Sequence, residues 1–254
     1  MSQTVKCLVP VSGGKDSQVC LELAIKEFGV NSVLGLFCDT QFEHPLTYEH
    51  IEKMKVMYGI TIITRCDGDV LSQCRKNKRF PSDDVRFCTN SLKIRVTKNF
   101  CAWLAENQEE GFEVWYGMRR KESHGRAKRY ENTIDDELYP PHIILTNYPK
   151  YLEKMGVMFR LPICDWHERE VYNQLGDRIN PLYAKGFDRV GCFPCLAGGD
   201  GFKDIAFNLD DFGREQREKV RVVENELGKD IFTSKRGFQK DNKDQISLCF
   251  VCQI

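Results

Sequence analysis

The feature that most constrains the fold is a glycine-rich segment between two regular stretches near the start of the chain. Residues 6–11 form an apolar run that predicts a buried strand, and residues 18–28 carry apolar side chains at helical spacing. Because the N–H groups and positive dipole at the start of a helix attract anions, this junction predicts a phosphate-binding loop. The six residues between the two stretches, called the glycine loop below, are Ser12-Gly13-Gly14-Lys15-Asp16-Ser17.

The glycine loop contains several groups that suit a polyphosphate. Its adjacent glycines allow the backbone to approach phosphate oxygens closely. Ser12 and Ser17 supply hydroxyl donors. Lys15 supplies a positive charge, and Asp16 can cap the helix or position a cation such as Mg²⁺. The spacing matches neither the GxxxxGK[ST] P-loop nor the GxGxxG dinucleotide motif, and an ordinary helix start with a glycine turn is the alternative interpretation.

The first half of the chain alternates strand-like with helix-like segments. Apolar or β-branched runs predict strands at residues 33–38, 60–64 and 112–117. Helical patterns cover residues 45–58 and 91–106. Such alternation predicts an α/β fold with a parallel, doubly wound, Rossmann-like sheet.

The second half is less regular. A charged, proline-containing stretch at residues 118–151 predicts loops over the sheet edge, and residues 166–175 and 210–227 predict helices. We therefore expect a nucleotide-binding α/β domain over residues 1–164. A cysteine-bearing C-terminal extension, packed on that domain, is expected over residues 165–254.

Composition excludes several classes of protein. The chain has 254 residues with equal numbers of acidic and basic side chains, so no global field recruits nucleic acid or a membrane. Its start lacks a signal-peptide pattern and no apolar run is long enough to span a bilayer, which predicts a cytoplasmic protein. In that reducing setting its 12 cysteines are expected to be metal ligands, catalytic thiols or small core residues rather than disulfides.

One segment has a strong local excess of positive charge. Between Met118 and Tyr130 there are six Lys or Arg residues and one acid, Glu122. This excess predicts binding of a polyanionic substrate, with Arg119, Ser123 and Arg126 as the best candidates. A solvated basic loop is the alternative.

The glycine loop and four further motifs, in order along the chain, resemble those of a known family. The glycine loop is the signature of the PP-loop ATP pyrophosphatases, also called adenine nucleotide alpha-hydrolases. Residues 37–45 (FCDTQFEHP), 87–89 (FCT), 117–126 (GMRRKESHGR) and 180–195 (NPLY, then GC and Cys195) are similar to motifs of its phosphoadenosine phosphosulfate (PAPS) reductase branch. The resemblance implies an enzyme that binds ATP or PAPS, with Asp39, Thr40 and Gly117 also facing the nucleotide.

The resemblance and the residue chemistry together define the candidate site. The candidate catalytic residues are Lys15, Asp16, Cys88 and Arg119. The candidate nucleotide-binding residues are Ser12, Gly13, Gly14, Lys15, Asp16, Ser17, Asp39, Thr40, Gly117, Arg119, Ser123 and Arg126.

Two cysteine pairs predict a metal site. Cys192 and Cys195 form one C-x2-C pair, and Cys249 and Cys252 form another after 53 intervening residues. Four thiolates suit either a [4Fe–4S] cluster or tetrahedral Zn²⁺, and the spacing alone does not fix which. Cys88 is a fifth candidate because its motif matches the cysteine-bearing segment of cluster-containing relatives.

Three functions remain open at this point. The first is an ATP-dependent enzyme that adenylates a substrate for sulfur transfer, with a sulfur-donor protein and a nucleic-acid substrate as candidate partners. The second is a thiol-dependent PAPS or adenylyl-sulfate reductase. The intact glycine loop, the single Cys88 and the lack of a C-terminal Glu-Cys-Gly motif favour the first. The third is a nucleotide-binding partner module without catalytic activity.

Overall fold

A computed structural model describes residues 4–232 of the chain. Within them lies one sheet, with the strands Cys7–Val11 (β1), Val33–Asp39 (β2), Ile62–Cys66 (β3), Phe112–Trp115 (β4) and Val157–Arg160 (β5). All neighbouring pairs are parallel, and the spatial order is β3-β2-β1-β4-β5. The order reverses direction between β1 and β4, the kind of switch point at which open α/β sheets bind ligands.

Helices cover both faces of the sheet, because the crossovers between its parallel strands run through them. Every residue of β1 is buried, which fits the near-continuous apolar character of its sequence. Leu8 pairs in register with Leu34 of β2 and Val114 of β4, and all three belong to one core cluster. Val9 points to the opposite face and belongs to a second cluster. The prediction of a parallel, doubly wound α/β sheet is therefore confirmed.

The α-helices of the described residues vary from three to 17 residues in length. These helices are α1 (Lys15–Phe28), α2 (Pro45–Tyr58), α3 (Val70–Asn77), α4 (Phe87–Thr89), α5 (Arg95–Glu106), α6 (His124–Arg129), α7 (Pro141–Ile144), α8 (Tyr151–Lys154), α9 (Glu168–Leu175), α10 (Asp200–Asn208) and α11 (Asp211–Leu227). A π-helical turn over Asn90–Ile94 joins α4 to α5.

The helices divide between the two faces. Apolar residues of α1, α2 and α9 pack on one face of the sheet. Those of α5 and α8 pack on the other. Helix α2 has the predicted bounds because Pro45 occupies its first turn, the His44 side chain accepts the Leu46 N–H, and Gly59 ends it in the left-handed conformation.

The structure corrects three details of the sequence-based expectation. Helix α1 begins at Lys15, three residues before the apolar pattern, because its polar first turn is buried by tertiary contacts. Strand β3 lies two residues later than predicted. The stretch 118–151 was expected to be loops but contains α6 and α7, which are too short to show a helical period.

The segment after β5 packs against the sheet domain. Val171 and Leu175 of α9 join the cluster beneath α1. Val220 and Val223 of α11 pack with Leu71 of α3. The boundary at residue 164 stays a prediction.

Across residues 4–232, no helix combines the length and the apolar character needed to cross a bilayer.

Candidate functional site

The glycine loop forms a tight turn at the carboxyl end of β1. Gly13 has φ +75°, a conformation that favours glycine. A Cβ there would also lie 2.6 Å from Cγ2 of Thr47, so the position is closed to larger residues. The Ser17 hydroxyl accepts the Ser12 N–H at 3.2 Å and donates to the Gly14 carbonyl at 3.0 Å. Both serines thus hold the turn as well as supply hydroxyls.

The start of α1 follows this turn directly. Gly14 is its N-cap and provides no side-chain hydrogen bond to the first turn. The Lys15 N–H donates to the Tyr183 hydroxyl at 2.9 Å. Among the described residues no acceptor for the Tyr183 hydroxyl hydrogen is found. Burial raises the pKa of Tyr183 well above its usual value, so this hydroxyl keeps its proton.

Asn180 fastens the glycine loop from a distant part of the chain. Its Nδ2 donates to the Gly13 carbonyl at 3.2 Å, and its Oδ1 accepts the Leu182 N–H at 3.0 Å. Asn180 and Tyr183 belong to the NPLY motif, whose family resemblance was visible in the sequence. Their contacts with the loop were not, because about 170 residues separate the two segments, so only the folded chain reveals them.

The side chain of Lys15 is buried in a polar and aromatic surrounding. Its ammonium donates to the Asp188 carbonyl at 2.9 Å and lies 3.0 Å from a carboxylate oxygen of Glu168. The rings of Tyr172 and Tyr183 flank it, with centroids 5.4 and 4.8 Å away. None of these partners was predicted from the sequence, since all come from the segment after β5.

Asp16 and Arg119 form a buried ion pair across the switch point between β1 and β4. Gly117 makes the close approach necessary, because a Cβ there would lie 2.6 Å from the Asp16 carbonyl carbon. Burial lowers the pKa of Arg119, but the charges of Asp16 and Glu122 outweigh it and raise the pKa overall. Arg119 is therefore a permanent cation at the edge of the glycine loop.

Three other residues of the basic segment, Glu122, Ser123 and Arg126, are engaged with one another. The Ser123 hydroxyl caps α6 by accepting the Arg126 N–H at 3.0 Å. The buried Arg126 guanidinium forms an ion pair with Glu122. Burial raises the pKa of Glu122, opposed by the charge of Arg126.

The positive excess of this segment is smaller than its sequence indicates. Asp16 pairs with Arg119, and Asp165 lies 3.0 Å from Arg120. Both acids come from outside the segment, so a count within residues 118–130 overestimates the local charge.

Asp39 and Thr40 lie where β2 ends. Asp39 accepts the Tyr48 hydroxyl at 2.7 Å, and the Thr40 hydroxyl donates to Glu43 at 2.7 Å. Burial raises the pKa of Glu43. A small cavity of about 10 Å³ is lined by Ser12, Glu43 and Lys93, so this cluster faces the glycine loop. Glu43 was not singled out from the sequence, although it lies inside the motif at residues 37–45.

Of the cysteines predicted to bind a metal, only some lie in the same part of the structure. Cys88 and Cys192 pack around the same apolar cluster, while Cys195 is buried in another. The Cys192 thiol lies 3.3 Å from the Thr40 hydroxyl and 3.9 Å from a Glu43 carboxylate oxygen. Cys249 and Cys252 lie outside the described residues. Within residues 4–232 there is no group of three potential metal ligands, so the four-cysteine site stays a prediction.

Comparison with known proteins identifies the family. A model of the phosphoadenosine phosphosulfate reductase domain matches residues 6–197, about three quarters of the chain. The chain belongs to this family. The predicted resemblance to PAPS-reductase-like PP-loop proteins is thereby confirmed.

Curated relatives of this PAPS-reductase-domain protein include both uncharacterized and named proteins. An uncharacterized protein of Methanocaldococcus jannaschii is 33% identical over 196 residues, which cover 75% of this chain and 36% of that protein. An adenosine 5'-phosphosulfate reductase of Rhodococcus erythropolis is 24% identical over 168 residues, covering 64% of this chain and 58% of the relative. The chain thus spans about a third of the length of the first relative.

Solved structures that are similar to this chain include a reductase and a thiolase. A PAPS reductase from Candida auris in complex with phosphate has a TM-score of 0.48 at 15% identity, covering 74% of this chain and 82% of that one. The U34-tRNA thiolase NcsA from Methanococcus maripaludis, with its [4Fe–4S] cluster, has a TM-score of 0.46 at 18% identity, covering 100% and 82%.

Proposed function

We propose that this PAPS-reductase-domain protein binds ATP at the glycine loop and transfers the adenylyl group to a substrate that then undergoes sulfur transfer. The observation that carries the proposal is the start of α1. It follows the Gly13 turn, has no side-chain cap, and lies between the buried cations Lys15 and Arg119. Helix N–H groups and two fixed cations are what a polyphosphate requires.

The proposed reaction forms one bond to the α-phosphorus of ATP and breaks another. An oxygen of the acceptor attacks the α-phosphorus of ATP, and the bond to the bridging oxygen of the β-phosphate breaks. Pyrophosphate leaves with the electron pair, and the acceptor oxygen becomes the adenylated leaving group for the sulfur nucleophile. Lys15 and Arg119 stabilise the charge that develops on the departing pyrophosphate.

A bound nucleotide would exchange its phosphate oxygens for some of the present partners of the site's cations. Phosphate oxygens would replace Glu168 as the partner of Lys15, since the exposed Glu168 side chain can turn away. The Tyr183 hydroxyl would donate its remaining hydrogen to the same phosphate. The predicted nucleotide contacts of Ser12, Asp39, Thr40, Gly117 and Arg119 belong to this proposal. Mg²⁺ held near Asp16 or Asp39 would complete it.

Sulfonucleotide reduction is the second candidate. Named curated relatives are adenosine 5'-phosphosulfate and PAPS reductases, and the Cys192 thiol lies beside Thr40. In this reaction a thiolate attacks the sulfur of the sulfonucleotide, and the sulfur–oxygen bond to the nucleotide phosphate breaks. A second thiol then forms a disulfide with the enzyme cysteine and releases sulfite.

A metal site belongs to the first candidate, because in sulfonucleotide reduction the Cys192 thiol must be free to attack sulfur. We propose that Cys192, Cys195, Cys249 and Cys252 bind a [4Fe–4S] cluster or Zn²⁺, with Cys88 as a further ligand. The shared packing of Cys88 and Cys192 supports this set. Iron, sulfide and zinc analysis of anaerobically purified protein tests it, and protein without any of the three contradicts it.

One assay separates the functions. The protein is incubated with ATP and, separately, with PAPS plus dithiothreitol, and pyrophosphate and sulfite are measured. Pyrophosphate from ATP supports adenylation, whereas sulfite that disappears in Cys192→Ser supports reduction. Binding of ATP without either product supports the partner module and contradicts the proposed enzyme.

A further inference from the structure

A second pocket, here called the Arg129 pocket, opens next to the glycine-loop site. It has a volume of about 270 Å³ and lies between the α4–α5 segment, the end of α6, and the end of α7 with the residues that follow it. Arg86 and Arg129 contribute to its wall. Thr89 belongs to the motif at residues 87–89 and Arg129 to the basic segment, but the pocket itself was not predicted, because its walls come from three separate segments.

Two helical segments connect the Arg129 pocket to the glycine-loop site. On α6, Arg129 lines the pocket, while Arg126 lies one turn earlier and pairs with Glu122 of the site. On the α4–α5 segment, Thr89 lines the pocket, and Lys93 lies one turn later and lines the small cavity shared with Ser12. The two sites are therefore neighbours on the same edge of the sheet.

The pocket contains two cations suited to an anionic group. The Arg86 guanidinium is mostly buried and lies 2.7 Å from Asp83. Arg129 is exposed, forms no ion pair within residues 4–232, and shares a side-chain hydrogen bond with Tyr130. A guanidinium has five N–H donors and binds phosphate through two parallel hydrogen bonds, so Arg129 can contact a phosphate as well as Tyr130.

The rest of the pocket suits a flat, polar-edged ring. Ile94, Ile144 and Leu145 are buried and form an apolar wall. Asn147 donates to Asn90 at 3.5 Å across the pocket, and each amide keeps further donors and acceptors. Amide side chains pair with the edges of nucleobases, and apolar or guanidinium surfaces stack on their faces.

We propose that the Arg129 pocket binds a nucleotide unit, a nucleobase with its phosphate, as the acceptor of the adenylyl group. This inference rests on the proposed function, because the neighbouring glycine loop supplies the ATP. The unit is either a free mononucleotide or an unpaired nucleotide of a single-stranded polynucleotide. The two sources share the same chemistry and differ in how the chain continues beyond the pocket.

The test measures binding by the full-length protein with its glycine-loop site saturated by AMPCPP. The probes are uridine 5'-monophosphate, a single-stranded hexauridylate, and ribose 5-phosphate, which lacks the base. Arg129→Ala is compared with Lys128→Ala, which removes the same charge from the adjacent exposed position outside the pocket. Asn147→Ala removes the amide that faces the base. AMPCPP affinity is measured separately for each variant.

We expect a uridine probe to bind the wild type more tightly than ribose 5-phosphate does. Arg129→Ala should weaken this binding about tenfold while Lys128→Ala changes it by less than about twofold. Asn147→Ala should remove the preference over ribose 5-phosphate. Binding of hexauridylate alone identifies a polynucleotide as the source, and equal binding of the monophosphate identifies a free nucleotide.

Three results would overturn the inference. They are no binding of either uridine probe, equal effects of the two α6 variants, and an affinity for ribose 5-phosphate equal to that for the uridine probe that binds. Failure of AMPCPP to bind would instead contradict the proposed function. In that case the uridine titrations still report on the Arg129 pocket.

Discussion

The Asp16 carboxylate and the Arg119 guanidinium form a buried ion pair between residues 103 positions apart in the chain. One partner lies in the first turn of α1 and the other follows β4, so the pair joins the two halves of the sheet at its switch point. Because both groups are buried, each depends on the other to offset the loss of hydration. The pair therefore links the stability of the fold to the shape of the site.

Removing one member of this ion pair should lower the stability of the folded protein. We expect Arg119→Ala to lower the free energy of unfolding by about 3–5 kcal/mol, because the Asp16 carboxylate stays buried without its main partner. Arg95→Ala is the matched control, since its pair with Asp67 is half exposed and should contribute less than about 1 kcal/mol. Urea unfolding followed by circular dichroism measures both. Equal losses for the two variants would show that the Asp16–Arg119 pair has no special role.

Gly117 should tolerate no side chain. A Cβ at this position would lie within 2.8 Å of three backbone atoms of Asp16 and Ser17, and backbone cannot move aside as a flexible side chain can. We expect Gly117→Ala to lower the free energy of unfolding by about 1–3 kcal/mol and to weaken AMPCPP binding. Gly125→Ala on α6 is the control, because its nearest neighbour would be 3.9 Å away. An unchanged AMPCPP affinity in Gly117→Ala would contradict the importance of this close approach.

Asn180 should act on the nucleotide through the glycine loop. Asn180→Ala removes the hydrogen bonds to the Gly13 carbonyl and the Leu182 N–H, so the turn loses its support. We expect AMPCPP binding to weaken about tenfold and the free energy of unfolding to fall by about 1–3 kcal/mol. Asn208→Ala is the control, since its amide bonds only within α10. Calorimetric titration of both variants is the measurement, and identical affinities would refute the supporting role.

Acid should destabilise the protein through His50. Burial lowers the pKa of His50 to about 4, its Nε2 lies 2.9 Å from the Gln18 carbonyl oxygen, and its Nδ1 has no partner among the described residues. The unfolded chain has the ordinary histidine pKa of about 6.5, so it takes up the proton first as the pH falls. The His50 contribution is therefore complete above pH ~6.5 and is lost between pH ~6.5 and ~4.

This pH dependence can be isolated by comparison with a variant. Urea unfolding at several pH values between ~7 and ~5 should show a steeper loss of stability in the wild type than in His50→Gln. The difference in slope has an upper limit of about 1.4 kcal/mol per pH unit. Parallel pH profiles would mean that His50 is not held neutral in the folded protein.

Much of the fold was predictable because its pattern is local. Helix α2 was predicted with its observed bounds, since Pro45, Gly59 and the apolar spacing between them all act within one segment. Strand β5 was missed because it has four residues, half of them buried, and gains its order from pairing with β4. The helices α6 and α7 are likewise fixed by packing and caps rather than by a repeated pattern.

The candidate site was likewise predictable only where its residues are close together in the sequence. The glycine loop was visible because its residues are contiguous and their chemistry is unusual. The partners of Lys15, which are Glu168, Asp188 and Tyr183, were not visible because they come from elements that meet only in the folded chain. The same reason explains why Asp16 was assigned a capping or cation role while its ion pair with Arg119 went unpredicted.

The most direct test is calorimetric titration of AMPCPP into the wild type, Lys15→Ala and Lys26→Ala. Lys26 is the matched control because it lies on the last turn of the same helix and is exposed, far from the glycine loop. We predict one nucleotide bound per chain, an affinity reduced about tenfold or more in Lys15→Ala, and no change in Lys26→Ala. Equal affinity of all three proteins for AMPCPP would contradict binding of the polyphosphate at the start of α1.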